Sequence, residues 1–145
     1  MAFLKWSEKM SVGVPALDAD HKKMVDLING LSKTMNEGGS VDEVCQAINA
    51  LVDYARYHFE MEERLLRLTR YPGIEDHMET HRKMTAQITA YADRFNENPE
   101  AFRVIELYDM MSRWLMQHIL REDKKYHEHM VNALGRRQDK QRRSA

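Results

Sequence analysis

The chain has 145 residues, a net charge of −1, one cysteine, six glycines and three prolines. That length makes one domain with a buried core, and the near-neutral balance gives no electrostatic footprint for nucleic acid. A lone Cys45 excludes an intrachain disulfide, and so few glycines and prolines beside eleven methionines favour helices over an all-β chain.

Residues 1–17 hold Trp6, Gly13 and Pro15 without helical periodicity, so an extended N-terminal arm packed on the domain is expected. Met1 to Trp6 lacks the apolar segment of a secretory signal, and no apolar run approaches the ~20 residues of a membrane span. A cytoplasmic protein follows as the expectation. Helix A runs from about Asp18 to Asn36, with Leu17, His21, Met24, Ile28, Leu31 and Met35 in alternating steps of four and three. Gly38-Gly39 ends it. Ser40 followed by Glu43 is a capping box for helix B, where Val44, Ile48, Leu51, Ala55, His58, Glu62 and Leu65 repeat the stepping. Cys45 reads as a small packed apolar residue. Tyr71-Pro72-Gly73 breaks the chain, and helix C carries His77, His81, Met84, Ile88, Tyr91 and Phe95. Asn98-Pro99 reads as the cap and first residue of helix D, which shows Val104, Tyr108, Met111, Leu115 and His118.

The expected fold is all-α: an antiparallel up-down-up-down four-helix bundle over residues 1–134, its first 17 the arm. Residues 135–145 form a frayed tail with Arg136, Arg137, Lys140, Arg142 and Arg143, solvated rather than bound to an anionic partner. Met24, Met35, Met84 and Met111 read as core filler. His127 and His129 fall in a polar stretch and read as solvent-exposed, as do the charges of Glu60 and Glu63.

Polar residues interrupt the apolar seam in one pattern. His21, His58, Glu62, His77, His81 and His118 all lie in phase with it. Buried imidazole and carboxylate are costly without partners, so these six demand a compensating centre. Residues four apart differ by about 40° around a helix, so His58–Glu62 and His77–His81 can each grip one small volume. After His118 the apolar stripe fits Ile119, Asp123, Tyr126 and Met130, one position out of register. Spacing alone favours Glu122 as a partner for His118, because a five-residue step is about 140° on a regular helix. A π-type widening would favour Asp123 instead. Seven ligands are too many for one ion and suit two ions bridged by carboxylates.

The set Ser11-Val12-Gly13-Val14, Leu17-Asp18, His21, then His58-Phe59-x2-Glu62-Glu63, His77-x3-His81 and Trp114-x3-His118-Ile119-x3-Asp123-x2-Tyr126 resembles the hemerythrin family, in particular the single-domain hemerythrins of bacteria. The resemblance spans residues 6 to about 126. It implies a non-haem, oxo- or hydroxo-bridged pair of iron ions that binds O2 reversibly. Carried over by position, His77, His81 and His118 hold one iron, His21 and His58 the other, and Glu62 and Asp123 bridge them; Glu122 is thereby set aside. Imidazole suits iron, and five neutral histidines against two carboxylates leave the site less anionic than carboxylate-rich oxidases, which favours binding O2 over cleaving it. One coordination position is left for O2. Leu115 and Ile119 are expected to line its pocket. For Phe59 and Trp114 ordinary core packing competes with a place around that pocket.

The implied protein is an O2 carrier, not an enzyme: a monomer that stores oxygen, delivers it to an oxygen-consuming enzyme or scavenges it. A di-iron oxidase or peroxidase on the same centre would need a proton donor or substrate channel beside the open iron, and none is clearly placed. A sensor module would need a signalling domain for which 145 residues leave little room.

Overall fold

Pro15 opens the first helix, α1 (Pro15–Asn36), three residues before the expected start. Proline is pre-shaped for the first turn, and Asp18 N–H already bonds Val14 O at 2.9 Å. The computed structural model of the protein describes residues 4–101 and 103–143. The first residues of the arm, the side chains of Val104 and Arg137, and the end of the tail lie outside the described residues.

α1 ends where glycine permits. Gly38 has φ +70°, and Gly39 N–H returns to Thr34 O at 2.9 Å. Ser40 then caps α2 (Val41–Leu68) through Glu43 N–H, at 3.2 Å. α3 spans Ile74–Glu97. Asn98-Pro99 does not start the next helix. Asn98 N–H still caps α3 on Arg94 O, Pro99–Ala101 forms a 3-10 turn, and α4 runs Val104–Gln117 with Arg103 before it. A π-helical segment, His118–Asp123, joins α4 to α5 (Lys124–Arg143). α5 continues through the segment expected to fray, since its arginines, lysine and glutamines are good helix formers.

α1 packs on α2, α2 on α3, and α1 also on α4. The result is an all-α four-helix bundle, with no strand among the described residues. Its interior has two apolar clusters. The larger includes Met24, Ile28, Leu51, Phe59, Met84, Met111, Leu115 and Ile119. The smaller holds Val12, Val14, Leu17, Leu66, Tyr126 and Met130, and so combines the arm with α5. The arm is anchored by Asp18, which accepts Val12 N–H at 2.8 Å and the Ser11 hydroxyl at 2.5 Å. Cys45 is half-buried at the core margin, its thiol 3.2 Å from Asn96 Oδ1.

Candidate metal centre

Between the two apolar clusters lies a layer of buried polar side chains. It takes residues from the start of α1, the end of α2, the start of α3 and the end of α4, which the up-down topology brings to one level. His21, His58, Glu62, His77, His81, His118 and Asp123 are all at most 4% exposed. One ligating atom from each of Glu62, His77, His81 and His118 fits within 4.8 Å of the others, and so does one from each of His21, His58 and Glu62.

The carboxylates divide their oxygens between two histidine sets. Glu62 Oε1 lies 2.5 Å from His77 Nε2 and 3.0 Å from His81 Nε2. Its Oε2 lies 3.2 Å from His58 Nε2 and 3.6 Å from His21 Nε2. Asp123 repeats the division: Oδ1 is 2.9 Å from His118 Nε2 and 3.2 Å from His77 Nε2, while Oδ2 is 3.2 Å from His21 Nε2. The π segment makes this possible. Its wider turn brings residues five apart nearly into line, so Asp123 follows His118 inward. Glu122 is left at the margin and pairs with Lys125 at 3.3 Å.

The donor atoms are close without being well bonded to one another. His21 Nε2 and both Asp123 oxygens are buried and make no hydrogen bond of acceptable geometry. His81 Nε2 and His118 Nε2 face each other at 3.2 Å, although a neutral imidazole has only one N–H. Groups within reach but aimed past one another share the space between them. A mixed set of imidazole nitrogens and carboxylate oxygens around that space fits iron, zinc or copper. Charge points the same way. Burial pushes Glu62 and Asp123 upward, and the Glu62 charge adds to this at Asp123, yet the surrounding imidazoles pull both carboxyls well below the carboxylate range. Burial likewise opposes the charged forms of His21 and His77, but Asp123 and Glu62 raise both rings to about 10. Cations bound here take the place of protons.

The residues around the layer are specific. Phe59 stacks on His81, with centroids 4.1 Å apart and planes 13° apart, and half-buried Trp114 stacks on His118 at 4.5 Å and 13°. Both rings thus lie against imidazoles of the layer rather than merely filling core. Leu115 and Ile119 are buried in the larger cluster beside Phe59. Glu60 is exposed as expected, but Glu63 is half-buried instead of solvent-exposed, its carboxylate turned to His81 Nδ1 at 3.8 Å, an ion-pair distance beyond hydrogen-bond reach. His127 and His129 are half-buried instead of solvent-exposed: His129 Nε2 is 2.6 Å from Thr69 O, and the His127 ring packs over Gly13.

Three residues outside the expected ligand and pocket set touch the layer or a partner of it, and only Tyr126 figured in the sequence motif. Tyr126 donates its hydroxyl to Glu62 Oε2 at 2.9 Å. Asp20 Oδ2 lies 3.1 Å from His58 Nδ1, and Tyr54 donates to Asp20 Oδ1 at 2.9 Å. Tyr54, His58 and Glu62 step by four along α2, and Asp20 precedes His21, so a signal was present. It required knowing how α1 and α2 face each other.

A model of the hemerythrin family, described as the hemerythrin HHE cation binding domain, matches residues 12–130. The chain belongs to the hemerythrin family. It is 31% identical over 128 residues to the bacteriohemerythrin of Stenotrophomonas maltophilia (strain R551-3), covering 87% of this chain and 80% of that one. It is 28% identical over 127 residues to the bacteriohemerythrin of Methylococcus capsulatus (strain Bath), covering 87% and 95%. The fold superimposes on a crystal structure of wild-type hemerythrin with a TM-score of 0.83 at 26% identity, across 90% of this chain and 99% of that one. The register slip after His118 and the buried layer both lie within the residues that the family model matches. No helix among the described residues is long and apolar enough to cross a membrane.

Proposed function

We propose that this hemerythrin-family protein binds O2 reversibly at a pair of non-haem iron ions, as a carrier for storage, delivery or scavenging rather than as an enzyme. The observation that carries the reading is the division of Glu62 and Asp123, each with one oxygen toward each histidine set. His77, His81 and His118 would hold one iron and His21 and His58 the other, with both carboxylates bridging. Bound there, the iron pair supplies the O2-binding chemistry.

The protein's part is to orient donors and exclude water. Phe59 and Trp114 cover the imidazole faces of His81 and His118 and fix their rotation. Leu115 and Ile119, 1% and 0% exposed, supply the apolar lining of the O2 pocket. Tyr126 spends its only donor on Glu62 Oε2, which fixes the orientation of that carboxylate. The setting we assign is cytoplasmic and monomeric, with O2 passed to an oxygen-consuming enzyme.

The test is iron content and an optical spectrum of the reduced protein before and after air. About two irons per chain and a visible band that appears with air and vanishes on degassing are expected. One zinc per chain, or irreversible bleaching, overturns the reading. Leu115→Ala and Leu115→Asp should hasten decay of the oxygenated band at unchanged iron content. Equal decay in both would return Leu115 to plain packing.

A further inference from the structure

The geometry points to Asp20 as the positioning residue of the two-histidine half: it holds the His58 ring in one tautomer and one rotation, and Tyr54 in turn holds Asp20. This rests on the di-iron reading above.

An imidazole that ligates through Nε2 carries its proton on Nδ1, and that N–H needs an acceptor when buried. His58 Nε2 lies in the layer, 3.2 Å from Glu62 Oε2, while its Nδ1 lies 3.1 Å from Asp20 Oδ2. The ring is 1% exposed, so water offers no substitute. Asp20 is not free to swing, because its other oxygen accepts the Tyr54 hydroxyl at 2.9 Å. Tyr54 and His58 are one turn apart on α2, and Asp20 reaches both from α1. One carboxylate therefore ties two α2 side chains to the helix that also supplies His21.

Three of the other rings lack such a hydrogen bond, although the Glu63 carboxylate lies 3.8 Å from His81 Nδ1. His21 Nδ1, His81 Nδ1 and His118 Nδ1 are buried with no hydrogen-bond partner among the described residues. His81 and His118 are steadied instead by the stacked faces of Phe59 and Trp114. His81 and His118 are thus oriented by aromatic faces, and His58 in the two-histidine half by a charge-assisted hydrogen bond. The carboxylate also makes His58 a more basic ligand, on the side that offers one nitrogen fewer. Losing Asp20 should loosen that ion selectively.

The experiment compares Asp20→Ala, Asp20→Asn and Tyr54→Phe with the parent protein. Iron is withdrawn from the loaded protein by a chelator and the release resolved into two phases. Melting of the metal-free protein is recorded in parallel, with imidazole nitrogen resonances of the zinc-loaded protein. In Asp20→Ala one phase should accelerate about 10–100-fold, the usual cost of losing such an outer partner. Asp20→Asn, which keeps a neutral acceptor, should show less, and Tyr54→Phe least. The other phase should not move, and the His58 Nδ1 resonance should shift in the same order. Equal acceleration of both phases, together with lower metal-free melting, would make Asp20 only a helix clamp. Unchanged release in Asp20→Ala would overturn the inference outright. Should Asp20→Ala not fold, an unshifted His58 resonance in Asp20→Asn would do the same. A parent that takes up a single ion overturns the di-iron reading, and the zinc-loaded His58 resonance still decides whether Asp20 holds the ring.

Discussion

The polar layer separates two unlike apolar regions. On one side the larger cluster is made mainly by four helices in regular four-three stepping, joined by Met10 of the arm and Ile119 of the π segment, with Ile28, Leu51, Ile88 and Met111 each at most 1% exposed. On the other, the smaller cluster depends on irregular backbone: the arm, the left-handed turn at Arg70, and α5 after the π segment. The first region spans all four helices and holds most of the buried apolar side chains. The second closes the site from below and brings Tyr126 to Glu62. Stability and closure of the centre are therefore separable, and substitutions should divide along that line.

The largest effect should come from breaking the layer itself. Asp123→Ala removes one of two carboxylates facing five imidazoles, and stripping one partner from a buried ion pair costs about 3–5 kcal/mol. Iron should fall well below two per chain. Glu122→Ala removes only a pair with Lys125, half exposed to solvent, and should keep the iron. If Glu122→Ala strips the metal and Asp123→Ala does not, the inward turn of the π segment is not what makes the site.

Next come matched truncations in the two regions. Leu51 and Leu66 are both fully buried, one in each cluster. Leu→Ala in a core costs about 2–5 kcal/mol. Leu51→Ala should lower denaturant midpoints of metal-free and loaded protein alike, with chelator release little changed. Leu66→Ala, one turn beyond Glu62, should hasten iron release more than it lowers the metal-free midpoint. The same ratio of effects in both variants would dissolve the distinction.

Legibility from sequence follows the same division. The four-three stepping rests on regular geometry, so it exposed the four helices, the Ser40 cap and six polar residues in seam phase. The slip between His118 and Asp123 showed as a one-residue change of register, but choosing Asp123 over Glu122 required family resemblance. Features set by facing helices were not legible. Asp20 lies off the apolar seam of α1 and gains its role from Tyr54 and His58 across the interface. His129 lies in a polar run and gains its partner, Thr69 O, from the end of another helix. Asn98-Pro99 misled because a cap residue followed by proline can close one helix as well as open the next.

Gly13 tests the arm. Its φ is +72°, and a Cβ there would lie 2.9 Å from both His127 Nε2 and Val131 Cγ2. Gly13→Ala must strain the backbone and displace a ring, at a cost of about 1–3 kcal/mol. Because the arm covers the site side of the bundle, iron should leave faster while the helical content of metal-free protein is kept. Circular dichroism with chelator release reads both, and an arm that tolerates alanine without faster release would not be a seal.

The smallest effect concerns how the two long helices end. Both α1 and α2 finish in the same left-handed turn. At α1 the residue is Gly38, φ +70°, with Gly39 N–H bonded to Thr34 O at 2.9 Å. At α2 it is Arg70, φ +56°, with Tyr71 N–H bonded to Leu66 O at 2.9 Å. A residue with a Cβ there costs roughly 1–2 kcal/mol, against about 0.5–1 kcal/mol of extra backbone entropy that glycine loses on folding. The Arg70 side chain is exposed, and its conformation is imposed by that backbone bond and by the packing of Leu66 and Tyr71 in the smaller cluster. Arg70→Gly should therefore stabilise the metal-free protein by up to about 1 kcal/mol, read as a higher denaturant midpoint at unchanged slope. Iron release should slow slightly, since the turn after Glu62 is then held without strain. Gly38→Arg should lower the midpoint by a similar amount with no effect on release, because the α1 end lies far along the bundle from the layer. Should Arg70→Gly lower the midpoint, the arginine would be contributing a contact at the α2 end that outweighs its backbone strain.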